Sequence, residues 1–157
     1  MEKSSFEDLK AALEGIEDFD CHGIHSTEEI SSAEKKLGVS LPGSFKRYLE
    51  KLGNAAFGHV EYLGLTNSQD FSEAGFPNFV WFNLRKRMQD DFPDHLIIFR
   101  SISNEIFLCL DTSKRLDDED CVITVWNNLD KLAERELDMG FNRFFIEDIE
   151  EYIDLMQ

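Results

Sequence analysis

Four groups of side chains in this 157-residue chain have the types and spacing that chemistry requires. Cys21-His22-x-x-His25 places a thiol and two imidazoles within reach of one metal ion. A structural zinc site needs four N or S donors in a fixed frame, and the other histidines, His59 and His95, are far away in sequence. A polar loop with two solvated imidazoles accounts for these residues more simply. The run Asp117-Asp118-Glu119-Asp120 suggests calcium, yet it lacks the alternating ligands and mid-loop glycine of an EF-hand. A weak, unspecific cation site is the most it offers. Arg85-Lys86-Arg87 is the only basic triplet, and on a helix its side chains fan around the axis as solvated charges. Near the C-terminus, Glu147, Asp148, Glu150, Glu151 and Asp154 follow one another with no basic residue between them. Paired carboxylates do acid–base work only in a cleft that drives their pKa values apart. An acidic chain forms such pairs by chance.

Nothing else in the sequence points to catalysis. It contains no G-x-S-x-G elbow, no H-E-x-x-H and no glycine-rich phosphate loop. The expectation is a protein that is not an enzyme, with no catalytic residues, no metal and no cofactor. Two further residues could serve either packing or binding. Trp126 closes the strand-like run Cys121–Asn127 and would share a face with Val122 and Thr124. It is either a core plug beneath the last helix or a half-exposed platform beside the acidic run. Asp111, before Thr112 at a strand exit, either makes a side-chain turn or faces a partner.

Charge narrows the partner. Against 32 Asp and Glu stand 16 Lys and Arg, for a net charge of −16 and a pI near 4.5. Such a surface repels phosphate backbones and anionic lipid heads, which argues against direct nucleic-acid or membrane binding. It attracts basic proteins, although acidity also serves plain solubility. No apolar run approaches the ~18 residues of a membrane span. The N-terminal MEKSSFEDLKAALEG is not organised as a secretory signal. Three cysteines without framework spacing fit a reduced, cytoplasmic setting.

These residues have to be positioned by regular elements. The length and the absence of repeats or linkers predict one domain over residues 1–157. Phe6, Leu9 and Leu13 predict a helix over 5–14; residues 15–26 read as polar and turn-like. Ser26-x-x-Glu29 is a capping box for a helix carrying Ile30, Ala33 and Leu37, which Gly38 ends. Pro42 is pre-set for the first turn of the next helix, whose apolar face is Phe45, Tyr48, Leu49 and Leu52. A strand follows at 60–65, then a helix over 78–90, then strands at 95–101, 105–112 and 121–127. Phe141, Phe144, Phe145, Ile149, Tyr152 and Met156 give a last helix its apolar stripe. The predicted core comprises Phe45, Leu49, Phe107, Leu108 or Cys109, Val125, Phe144 and Ile149. The fold class is α+β, a mainly antiparallel sheet with helices at the N- and C-terminal ends.

ISSAEKKLGVSLPGSFKRYLEKLGN, residues 30–54, resembles the opening of the SUKH superfamily, bacterial immunity proteins with eukaryotic relatives that regulate cell-wall assembly. The resemblance continues through LIIFRSISNEIFLCLDT, the loop KRLDDEDC, VITVWN and FNRFFIEDI, in the same order over most of 27–150. Relatives often carry Pro after the acidic loop, where this chain has Cys121-Val122-Ile123.

The resemblance implies a SUKH-like fold and binding without catalysis. The expected function is an immunity protein, or antitoxin, that occludes a cognate, basic, nuclease-type toxin domain. The alternative is a cytosolic interaction module of the cell-wall assembly regulator type. The candidate partner-binding residues are Asp111, Asp117, Asp118, Glu119, Asp120 and Trp126, with Glu147, Glu150 and Glu151 as a second surface. A monomer or weak homodimer is expected.

Overall fold

The computed structural model describes residues 4–157; Met1, Glu2 and Lys3, the first residues of the segment read above for a signal, lie outside the described residues. Helix α1 (Phe6–Leu13) opens with a capping box between Ser5 and Asp8 and buries Phe6, Leu9 and Leu13. Helix α2 (Thr27–Leu37) starts at the Ser26–Glu29 box and ends at Gly38, whose φ of 70° needs no Cβ to be comfortable. Helix α3 (Gly43–Lys51) follows Pro42, which sits one residue earlier than expected, as an extended N-cap. Helix α4 (Phe79–Asp90) is capped by buried Asn78, whose Oδ1 accepts from the amides of Val80 and Trp81. Helix α5 (Phe141–Leu155) closes the chain.

Strands β1 (Phe19–Cys21), β2 (Ala55–Phe57) and β3 (Val60–Tyr62) form one small antiparallel sheet in that order. A second antiparallel sheet runs β4 (Leu96–Ser101), β5 (Ile106–Arg115), β6 (Cys121–Asn127), β7 (Leu132–Leu137). The fold is therefore α+β with helices at both ends.

Three elements differ from the sequence reading. The polar segment 15–26 contains β1, which pairs with β2 at Phe19–Phe57 and Cys21–Ala55. The strand expected over 60–65 is only the short β3 (60–62), and it forms a hairpin with β2 (55–57), a strand absent from the sequence reading. Strand β7 had no apolar pattern to reveal it, because five of its six residues are exposed. Its edge is guarded by Glu134, Arg135 and Glu136 and by a register shift beside Trp126.

The two sheets join where the Leu63 amide donates to the Phe99 carbonyl at 2.8 Å. Beside that seam, fully buried Asn83 of α4 acts as a surrogate strand. Its Oδ1 accepts from the Ile98 amide at 2.8 Å, and its Nδ2 donates to the Ile98 and Phe79 carbonyls. One amide thus satisfies the open edge of β4, where an unpaired buried backbone group is costly.

The core is built from rings. Tyr62 stacks on Phe145 at 3.9 Å, while Phe141 meets Phe45 and Phe99 edge-on at 5.1 and 5.3 Å. Phe45, Leu49, Phe107, Leu108, Cys109, Val125 and Ile149 are buried as expected. Phe144 is only half-buried against Phe99, and the central positions of α5 belong to Phe141 and Phe145. Two phenylalanines in adjacent positions of a helix point about 100° apart, so only one can face the centre.

Candidate functional site

The acidic run lies in the loop between β5 and β6, against the N-termini of two helices. Asp120 Oδ1 accepts from the Ser44 hydroxyl at 2.5 Å and from the Phe141 amide, the first of α5, at 3.2 Å. Gly140, the N-cap of α5, offers no side-chain bond of its own, and α5 has no acidic residue in its first turn. Asp120 supplies that missing charge from elsewhere in the chain. The Glu119 carbonyl accepts from the Ser44 amide at 3.1 Å, which satisfies the start of α3. Side chains added at Gly43 and Gly140 would collide with the carboxylates of Glu119 and Asp120. At Gly140 the opposing Asp120 carboxylate is held by Ser44 and Phe141, so the close approach favours glycine there, whereas at Gly43 the exposed Glu119 side chain can swing aside.

Asp117 Oδ1 accepts from the amides of Glu119 and Asp120 at 2.8 and 3.0 Å and so shapes the loop. Asp118 is exposed. A cleft of about 610 Å³ opens beside this loop, with Ser5, Asp8, Arg47 and Asn142 among its other walls. Asp111, 4% exposed, accepts from the amide and hydroxyl of Ser113 at 3.0 and 2.6 Å. It makes the side-chain turn at the end of the regular β5–β6 pairing.

Trp126 is not beside this loop. The loop enters β6 at Cys121, and Trp126 stands five residues along the strand, roughly 17 Å away. The indole is half-buried, packs edge-on against Phe92 at 5.6 Å, and donates through Nε1 to Asn128 at 3.2 Å. Neither position weighed from the sequence describes it, since Phe92 follows α4 and the acidic loop is at the other end of β6.

The second candidate surface is modified by Arg143, one turn earlier on α5. Its guanidinium meets Glu147 at 3.0 Å and Glu150 at 3.2 Å, while Glu151 stays exposed. Asp148 does not belong to this outer face. Its side chain is 12% exposed, accepts from the Tyr62 hydroxyl at 2.5 Å and pairs with Arg100 at 3.0 Å. Burial raises its pKa above the ordinary value, opposed by the Tyr62 hydrogen bond and the Arg100 charge.

The other groups have partners of their own. His25 is buried rather than solvated, and its Nδ1 lies 2.8 Å from Glu29, whose pKa that contact lowers. Cys21 and His22 are exposed. Among the described residues no three His, Cys, Asp or Glu are grouped to hold a metal. Nor are the basic-triplet residues merely solvated. Arg85 covers Trp81 at 5.1 Å, Lys86 lies over Phe82 and Phe107, and Arg87 donates to the Leu37 carbonyl at the end of α2. Cys109 and Cys121 are buried thiols; desolvation pushes Cys121 up to about 11, where it is unreactive at neutral pH. No helix among the described residues is long and apolar enough to cross a membrane.

The SUKH_5 family model, described as SMI1-KNR4 cell-wall, matches residues 6–152. Among curated proteins no significant match was found. The fold is similar to a crystal structure of a protein from Pseudomonas syringae pv. tomato, with a TM-score of 0.62 and 14% identity over 86% of this chain and 91% of that one.

Proposed function

From the premise that the chain belongs to the SMI1-KNR4 family, we propose that it is an immunity protein that binds and neutralises a basic, nuclease-type toxin domain in the cytoplasm. The observation that carries the reading is the family match over residues 6–152. The net charge of −16 supports it, because a carboxylate-rich surface competes for the ground that nucleic-acid phosphates would occupy on such a toxin. The protein acts by occlusion and needs no chemistry of its own, so it is neither an enzyme nor a cofactor protein.

The test is co-expression with a toxin domain encoded beside its gene. Protection of the host, and a stoichiometric complex in which nuclease activity disappears, are expected. Continued killing in the presence of excess folded protein overturns the reading. Association should be fast at low salt and slow by about tenfold or more between ~0.05 and ~0.5 M salt, since steering between exposed charges is screened.

Membership of a family described as SMI1-KNR4 cell-wall also supports a second reading, an interaction module for a cell-wall assembly pathway. An adjacent toxin gene separates the two.

A further inference from the structure

We propose that the partner docks on the end of the β4–β7 sheet opposite the acidic loop, and that the docked segment presents apolar side chains flanked by Lys or Arg. This inference rests on the reading of the chain as a binder of a basic protein and adds where and how it binds. Among the described residues, three of the eight large apolar side chains left exposed collect at this end: Ile102 at 57%, Leu129 at 69% and Leu132 at 47%. Strand pairing places them along the same end of the sheet, with Ile102 and Leu132 at its outer strands and β5 and β6 between them. The Ile102 amide donates to the Ile106 carbonyl at 3.0 Å, Ile106 pairs with Asn127, and Asn127 pairs with Leu132. Leu129 is held at the tip of the β6–β7 turn by its amide's 3.0 Å bond to Asn127. Trp126, next to Asn127 on β6, points to the opposite face of the sheet, toward Phe92, and lies outside this row.

The surface is also rigid before binding. The two turns at this end are tied by the Asn128 amide, which donates to the Glu105 carbonyl at 2.6 Å. Asn128 in turn accepts from the Trp126 indole and donates to Asp90 at 3.1 Å. A fixed platform loses little conformational freedom on docking. Its rim carries exposed Glu105, Asp130 and Glu134 against exposed Lys131, which donates to the Asp90 carbonyl at 2.9 Å. Arg135 is the remaining cation of β7. An apolar centre with a predominantly acidic rim fits a basic, apolar segment. At the other end of the sheet, Asp111, Asp117 and Asp120 are committed to backbone amides, whereas Asp130 and Glu134 accept from the side chain of Asn127 at 3.2 and 2.9 Å.

The probe is a short peptide of alternating Leu and Lys, titrated against the isotope-labelled protein and followed by amide shifts. A Ser–Lys peptide and a Leu–Glu peptide are the controls. Saturable shifts confined to residues 102–106 and 126–134 are expected, with the Leu–Lys peptide at least about tenfold tighter than either control. Leu129→Asp with Leu132→Asp should weaken it by about tenfold or more, and so should Ile102→Asp alone; Asp118→Asn with Glu119→Gln should change it less than about twofold. Each altered position is exposed, and retained amide dispersion checks the fold. Shifts centred on 117–120 or on α5, equal binding of the Ser–Lys peptide, or no saturable binding overturns the proposal. Toxin neutralisation in the co-expression test would survive that result, so the location can fail without the function.

Discussion

Asp120 holds Phe141 in place: its carboxylate accepts the first amide of α5 at 3.2 Å across twenty residues of intervening strand and turn. The same oxygen takes the Ser44 hydroxyl at the start of α3. A run that looks like an exposed electrostatic surface is therefore also the clamp on two helix N-termini.

Its members should consequently behave differently. Asp120→Ala should cost about 1–2 kcal/mol, the loss of a helix cap that also releases Ser44. Asp118→Asn, at an exposed position, should stay within about 0.5 kcal/mol. Urea denaturation of the two variants measures the contrast, and equal effects would remove the capping account.

The two phenylalanines opening α5 should separate in the same way. Phe145→Ala empties a fully buried site stacked on Tyr62 and should cost about 3–5 kcal/mol. Phe144→Ala, half-buried, should cost roughly half as much. Denaturant midpoints at unchanged m-value give the comparison.

Asn83→Ala should destabilise by about 2–4 kcal/mol, because the Ile98 amide and carbonyl lose their partner inside the protein. Asn83→Leu should do no better, although it restores volume. A leucine variant as stable as wild type would mean that β4 closes its own edge.

Asp148 gives stability a pH dependence of unusual sign for a carboxylate. Its folded pKa is raised above the reference 3.8, so the folded state binds the proton more tightly than the unfolded state. That contribution is fully present below 3.8 and is lost as pH rises through the folded value. Relative to Asp148→Asn, the wild type should lose stability as pH is raised through this window. Glu29 acts oppositely: the bond with His25 lowers its pKa, so its contribution is present above 4.5 and is lost as pH falls. Urea titrations from acid to neutral pH on both variants, Asp148→Asn and Glu29→Gln, measure the two slopes.

The sequence by itself determined the helices and the long strands, because each carries a local signal. Ser26 and Glu29 cap α2, Gly38 ends it, and the apolar spacing of α3 and α5 marks their buried sides. The same signals, in their order, identified the family. Strands β1 and β7 left no such trace: β1 exists by pairing with β2, and β7 is an exposed edge held by β6. A strand that buries little writes no alternation into its residues. The candidate site depended still more on tertiary structure. Spacing along the chain placed Trp126 with the acidic run, but a strand carries neighbours apart by over 3 Å per residue. Conversely, Asp120 and Phe141 are brought together only by the pairing of β6 with β7. Which carboxylates cap helices and which face solvent depends on those long-range contacts, and composition records only their sum.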